Sequence, residues 1–181
     1  MGEQKQAATL EERMRRIRLL VLDVDGVLTD GGIYIGPDGE AMKRFDIKDG
    51  MGISLWHRIG GVTAILTGRA SRIVENRAKE LHISVVRQGC ADKRAAYEEL
   101  KKELNISDDE IAYIGDDLID LPVMREAGLS IAVSDAVPEV RDAAHMTTTH
   151  AGGHGAIREA IERILRAQGR YEEAAAVYLS S

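Results

Sequence analysis

Apolar positions run along this chain in short continuous blocks, separated by stretches in which they recur at helical spacing. Thr9-Leu10-Glu11-Glu12 has the spacing of a capping box and predicts a short amino-terminal helix. The apolar run 17–22 predicts a strand buried on both faces. Segments 33–35 and 41–45 flank Gly36-Pro37-Asp38-Gly39, which predicts a β-hairpin. A helix is expected over 49–59, ended by Gly60-Gly61, then a strand over 62–66 and a helix over about 70–81. A strand over 83–86 and a helix over 92–104 follow. Ser107-Asp108-Asp109-Glu110 repeats the capping-box spacing ahead of a strand over 111–114. A short helix stopped by Gly128 precedes a strand over 129–133, and 156–167 predicts the last clear helix. The tail 170–181 reads as a short amphipathic helix, a flexible end, or part of a cover for a neighbouring copy. This alternation predicts an α/β fold, a Rossmann-like parallel sheet with helices on both faces. No linker or repeat divides it, so one domain is expected over 1–181, with its core at about 17–168.

Composition narrows the class. With 181 residues, 44% hydrophobic and 30% charged, the chain can bury a substantial core. Its net charge of -6 argues against nucleic acid or a membrane surface as the main partner. A phosphorylated small molecule remains compatible, because a metal and a few local cations reverse the field. The single Cys90 allows no internal disulfide, and the lack of a CxxC or His/Cys cluster points away from zinc. One reduced cysteine fits a cytoplasmic protein. No run has the length of a membrane span, and residues 1–16 are too charged for a signal peptide.

The chemistry sits at the ends of the predicted strands, where open α/β sheets bind ligands. The first strand runs into Asp23-Val24-Asp25-Gly26-Val27-Leu28-Thr29-Asp30. Continued as a strand, Asp23 and Asp25 would share a face; the bend at Gly26 instead lets the two carboxylates take different roles. The strand over 62–66 runs into Thr67-Gly68-Arg69, where a hydroxyl and a backbone amide can grip a phosphate oxygen. Lys93, beside Asp92 at a helix start, adds an ammonium to backbone amides and a favourable dipole. The strand over 111–114 runs into Gly115-Asp116-Asp117-Leu118-Ile119-Asp120. A parallel sheet brings Asp23, Asp25, Asp116 and Asp117 to one edge, and so many carboxylates cannot all stay ionised without a cation. Oxygen-only donors point to a hard ion, magnesium. A carboxylate nucleophile needs no deprotonation, and a second aspartate can protonate the leaving alkoxide and then activate water. Phosphoryl transfer fits these parts, since positioning and charge neutralisation supply most of its catalysis.

These four elements resemble the four motifs of the haloacid dehalogenase superfamily of phosphatases. The resemblance implies that Asp23 is the nucleophile, forming an aspartyl-phosphate, and that Asp25 is the general acid/base. It implies that Thr67 and Lys93 bind the transferring phosphoryl group. Asp116 would ligate magnesium with the Asp23 carboxylate and the Asp25 backbone carbonyl, Asp117 would support the metal through water, and Asp120 would orient Lys93. The intervals from Asp23 to Thr67 and from Thr67 to Lys93 are too short for a separate cap domain. Either a large substrate covers the site or a neighbouring subunit does. The hairpin 33–45 favours the subunit, because pairing with copies of itself would close its exposed edges.

From about residue 17 to 168 the chain resembles one capless family, the 3-deoxy-D-manno-octulosonate 8-phosphate phosphatases. The matching strings are DVDGVLTDG, Phe45 to Gly52, Thr67-Gly68-Arg69, Gly115 to Met124, and Ala151-Gly152-Gly153 with Gly155 and Arg158-Glu159. Members are homotetramers whose hairpins meet in a central barrel, and they release phosphate from a sugar acid on the route to lipopolysaccharide. The resemblance implies that Asp46, Ile47, Lys48, Asp49 and Gly50 line the substrate pocket and that Gly68, Arg69 and Arg77 help hold the sugar acid or phosphate. Two departures concern specificity. Many members carry arginine where this chain has Ser54 and His154, and neither replacement offers a bidentate fork. An eight-carbon sugar acid phosphate, a nine-carbon nonulosonate 9-phosphate and another small phosphoester all remain open as substrates. A phosphatase of phosphoprotein or nucleic-acid ends would call for an open basic surface, against the acidic balance. A non-catalytic interaction module would lack one or more of Asp23, Asp25, Lys93 and Asp116, and all four are present.

Overall fold

A computed structural model describes residues 8–179; the start of the charged amino-terminal stretch (1–7) and the last two residues of the tail lie outside it. Helix α1, Leu10–Arg16, opens on the expected capping box: Thr9 Oγ1 accepts from the Glu12 amide, and Glu12 Oε2 accepts from the Thr9 amide at 2.8 Å. Ile17 still caps that helix, so strand β1 begins later than the apolar run does, at Leu19–Leu22. The hairpin strands are β2, Tyr34–Gly36, and β3, Gly39–Met42. The second arm is shorter than expected: Lys43 leaves the strand and turns inward, and Phe45 pairs with Thr29 as an isolated antiparallel bridge.

Helix α2, Ile47–Arg58, starts earlier than expected because the Asp46 carboxylate caps it through the Lys48 amide at 2.7 Å. Strand β4, Val62–Leu66, has the expected bounds, and Ser71 caps helix α3, Arg72–Glu80. His82 adopts a left-handed conformation (φ 57°), which delays strand β5 to Val85–Arg87. Helix α4, Lys93–Leu104, strand β6, Ile111–Gly115, the short helix α5, Leu121–Met124, and strand β7, Leu129–Ala132, follow. Helix α6, Pro138–Ala143, and the two-residue strand β8, Met146–Thr147, had no counterpart in the sequence reading. Helix α7, Ala156–Ala167, has the expected bounds, and the tail forms helix α8, Tyr171–Leu179, which buries Ala174 and Ala175.

Six parallel strands form one sheet in the order β5-β4-β1-β6-β7-β8, and the hairpin forms a separate two-stranded sheet. Every residue of β1, β6 and β7 is buried. Successive residues point to opposite faces, so the sheet is covered on both sides. The helices that cover it gather into two packed sets, α1, α2, α7 and α8 in one and α4, α5 and α6 in the other. Because β4, β1 and β6 are adjacent and parallel, their carboxyl ends deliver Thr67, Asp23 and Asp116 to one edge. The hairpin leaves that edge beside β1, with Ile35 79% exposed and Ile33, Tyr34 and Met42 about half exposed.

Candidate active site

The loop after β1 is held by its own hydroxyl. Thr29 is fully buried; its Oγ1 donates to the Val24 carbonyl and accepts from the amides of Gly26 and Gly31. Gly26 adopts φ +87°, and a Cβ there would lie 2.1 Å from Asp116 Oδ2, so only glycine lets the two loops approach this closely. The Gly152 backbone presses on the same loop, where a Cβ would meet the Gly26 carbonyl oxygen at 1.7 Å.

Around this loop the charges meet below the surface. Asp23 and Lys93 are each 4% exposed, and Lys93 Nζ lies 2.9 Å from Asp23 Oδ1 and 2.7 Å from Asp120 Oδ1. Asp120 is fully buried and saturated: Oδ1 also accepts from the Tyr113 hydroxyl at 2.6 Å, and Oδ2 accepts from the amides of Asp116 and Asp117. Burial pulls the Lys93 ammonium down, but the charges of Asp23 and Asp120 more than reverse this and leave it above its ordinary value. Burial pushes Asp23 up to about 6, with Lys93 pulling it back and Asp120 adding to the rise. Burial also pushes Asp116 up to about 8, helped by the charges of Asp23, Asp120 and Asp117.

Carboxylate oxygens of Asp23, Asp116 and Asp120 lie within 4.8 Å of one another. Asp120 has no oxygen to spare, because four donors already use it. Asp116 Oδ1, in contrast, is buried without a hydrogen-bond partner. A buried carboxylate oxygen with no partner, beside a second carboxylate displaced above its ordinary range, fits a hard divalent cation. Asp23 and Asp116 are the side chains free to hold it.

The other expected positions divide. Thr67 is buried beside this cluster, with Gly68 and Arg69 exposed at its rim. Asp25 turns its carboxylate away from the cluster, to Lys43 at 2.5 Å and Arg69 at 3.6 Å, and Asp117 caps the turn that follows through the Leu118 amide. Neither of those carboxylates joins the acidic cluster. Asp49 also departs from its expected place in a substrate pocket: it is 1% exposed and accepts from the amides of Gly155 and Arg158, tying α2 to the start of α7. Gly50 is buried against Arg77, whose guanidinium stacks over Phe45 and pairs with Glu80 at 2.9 Å. Asp46 is half-buried, while Ile47 and Lys48 are exposed. Lys48 and His154 line one cavity of about 300 Å³ with Arg158 and Arg163. Ser54 is exposed and returns its hydroxyl to the Gly50 carbonyl.

Three contributors were missed in the sequence. Tyr113 was readable only as a strand residue, although its position in β6 points it at Asp120. Lys43 and Glu40, on and beside the hairpin, carry no motif signal; Lys43 Nζ bridges Asp25 and Glu40, and Ser71 Oγ donates to Glu40.

A parallel sheet that brings a buried Asp–Lys pair and a second, cation-seeking carboxylate to one edge is the arrangement of an aspartate-based phosphohydrolase. The chain belongs to the haloacid dehalogenase-like hydrolases, whose family model matches residues 62–161. It is 47% identical over 163 residues to the 3-deoxy-D-manno-octulosonate 8-phosphate phosphatase KdsC of Yersinia pestis, covering 90% of this chain and 87% of that protein. The crystal structure of the Yersinia pestis phosphatase superposes with a TM-score of 0.88, covering 90% of this chain and 88% of that one. The phosphatase of the same name from Moraxella catarrhalis, solved with a magnesium ion, a phosphate ion and a KDO molecule, superposes with a TM-score of 0.90 at 41% identity, covering 93% and 97% of the two chains.

Proposed function

We propose that this protein hydrolyses the phosphate ester of 3-deoxy-D-manno-octulosonate 8-phosphate, a phosphoric monoester, with magnesium as its cofactor. The observation that carries the chemistry is the buried Asp23–Lys93 pair beside the partnerless Asp116 oxygen. Magnesium held by Asp23 and Asp116 supplies neutralisation of the phosphate charge. Asp23 attacks phosphorus with its free carboxylate oxygen and forms an aspartyl-phosphate. Lys93, held by Asp120 and Tyr113, presents its ammonium both to Asp23 and to the phosphoryl oxygens, and Thr67 adds a hydroxyl. Asp25 gives its proton to the leaving sugar oxygen and afterwards takes one from the attacking water. Asp117, whose other carboxylate oxygen is not used in capping Leu118, would support that metal through water.

The identity of the substrate draws on the named relatives. Gly68, Arg69 and Arg77 with the 46–50 segment face the sugar acid, with Asp49 holding the segment in place from beneath. Lys48 and Arg158, sharing one cavity with His154, offer cations for its carboxylate. The exposed apolar hairpin supports assembly into a homotetramer, in which hairpins of neighbouring copies close one another's edges. No helix among the described residues is long and apolar enough to cross a membrane. The acidic balance and the lone cysteine support a cytoplasmic enzyme of small-molecule metabolism with no nucleic-acid or membrane partner.

Phosphate release with magnesium tests this directly, comparing 3-deoxy-D-manno-octulosonate 8-phosphate, a nonulosonate 9-phosphate and a simple alkyl phosphate. The expected result is a kcat/KM at least about tenfold higher for the octulosonate, since one bidentate or charged contact is worth that much. Equal turnover of all three, or preference for the nine-carbon acid, would refute the substrate assignment and leave the phosphatase chemistry standing.

A further inference from the structure

Asp25 is gripped from the hairpin side. Lys43 follows β3 immediately, yet its side chain is 1% exposed, and its ammonium sits 2.5 Å from Asp25 Oδ1 and 2.9 Å from Glu40 Oε1. Glu40 is itself a residue of β3, and its other oxygen accepts from Ser71, the residue that caps α3 just beyond Thr67-Gly68-Arg69. Three segments therefore converge on one carboxylate: the β1 loop that carries Asp25, the hairpin that carries Lys43 and Glu40, and the β4 exit. A lysine on a two-stranded, solvent-exposed hairpin ordinarily keeps its head group in water. Burying one costs free energy unless it is paired, and here both partners are carboxylates.

We propose that Lys43 is a positioning residue for Asp25, fixing through Oδ1 which oxygen faces the substrate, and that Glu40 and Ser71 hold Lys43 in place. The inference rests on the reading of Asp25 as the general acid. With Oδ1 held by Lys43, Oδ2 is the oxygen left to face the substrate, with Arg69, about half exposed, at 3.6 Å from it. As the bond between phosphorus and the sugar oxygen breaks, the electron pair goes to that oxygen and the proton moves to it from Asp25 Oδ2. The free alcohol leaves, Asp25 remains as a carboxylate beside Lys43, and the phosphoryl group is on Asp23. The hairpin thus does more than offer an apolar face: it carries the group that orients the acid.

The test is the first-turnover rate of leaving-group release, measured by rapid quench, for an alkyl phosphate and for p-nitrophenyl phosphate. The alkoxide needs a proton in order to leave and nitrophenolate does not. Lys43→Met is expected to slow alcohol release by about 30-fold or more, a large part of what a general acid supplies, and nitrophenolate release by less than about 3-fold. Lys43→Arg is expected to recover part of the loss. Glu40→Gln, which leaves the lysine in place, is expected to show the same selectivity at smaller size, and it carries the test should Lys43→Met not fold. Equal slowing of both substrates by these variants, or no slowing of either, would overturn the proposal and leave Lys43 as a hairpin anchor. Asp25→Asn, run alongside, separates the two failures. If it is selective for the alkyl substrate and Lys43→Met is not, the positioning role alone falls. If Asp25→Asn shows no selectivity, the acid assignment falls and the positioning role falls with it.

Discussion

Magnesium binding at neutral pH should expel a proton, and the structure says how many. Burial and three neighbouring carboxylates raise Asp116 to about 8, and burial raises Asp23 to about 6. At pH 7 the metal-free protein therefore holds about one proton on the Asp23–Asp116 pair, mostly on Asp116, and a cation that needs both ionised displaces it. Calorimetric titration with magnesium in buffers of different ionisation enthalpy counts that proton. The release should fall toward zero by pH 9, and the apparent affinity should rise about tenfold between pH 7 and pH 9. Stability carries the same signature with a definite sign. Asp116 titrates higher in the folded than in the unfolded protein, so its contribution is full at low pH and is lost as pH rises through about 8. Between pH 6 and pH 9 the metal-free protein should lose about 2 kcal/mol, after discounting for the partial exposure of Asp116. For a chain of this length that lowers Tm by about 4–8 °C, and saturating magnesium should remove most of the difference. Release of no proton at pH 7, or a metal-free Tm that rises from pH 6 to pH 9, would mean that Asp116 is already ionised in the metal-free protein.

Three further outcomes follow from particular contacts. Asp120→Asn removes the charge facing Lys93 and turns an amide N–H toward groups that are themselves donors, so it should cost about 3–5 kcal/mol; urea denaturation measures it, and a cost below about 1 kcal/mol would contradict the assignment. Gly26→Ala puts a Cβ where Asp116 Oδ2 lies and forces a positive φ on alanine, so magnesium affinity should drop by about tenfold or more in the same calorimetric titration. Ile35→Asp places a charge on the most exposed apolar position of the hairpin and should dissociate the proposed homotetramer, read by sedimentation at fixed protein concentration; a variant that sediments as the native chain does would remove the hairpin from any interface.

The centre of the sheet was legible because its strands are buried on both faces and so appear as unbroken apolar runs, as in 19–22 and 111–114. Boundaries slipped where a side chain intervened: Ile17 was spent as a helix cap, and Asp46 started α2 early. Helix α6 and strand β8 are short enough that neither period develops, although Pro138 after Val137 was a usable start signal. The site was legible to the extent that it follows strands. Asp23, Thr67 and Asp116 sit where β1, β4 and β6 end, and Lys93 reaches Asp23 from the first turn of α4. Asp49 was misplaced because nothing in a single sequence distinguishes a carboxylate that faces a ligand from one that caps a distant helix. Lys43 and Glu40 were invisible for the same reason: their meaning lies in how the hairpin folds back on the β1 loop, a contact with no local pattern.

An aspartyl-phosphate route requires that the phosphoryl group pass through Asp23. Rapid quench of the magnesium-loaded enzyme during its first turnover, followed by borohydride reduction and peptide mass spectrometry, reads this directly, because an acyl phosphate is reduced where a free carboxylate is not. Reduction is expected at Asp23 alone in the native chain, with no turnover and no reduction in Asp23→Asn. Normal phosphate release by Asp23→Asn, or a reduced Asp25 with Asp23 intact, would contradict it.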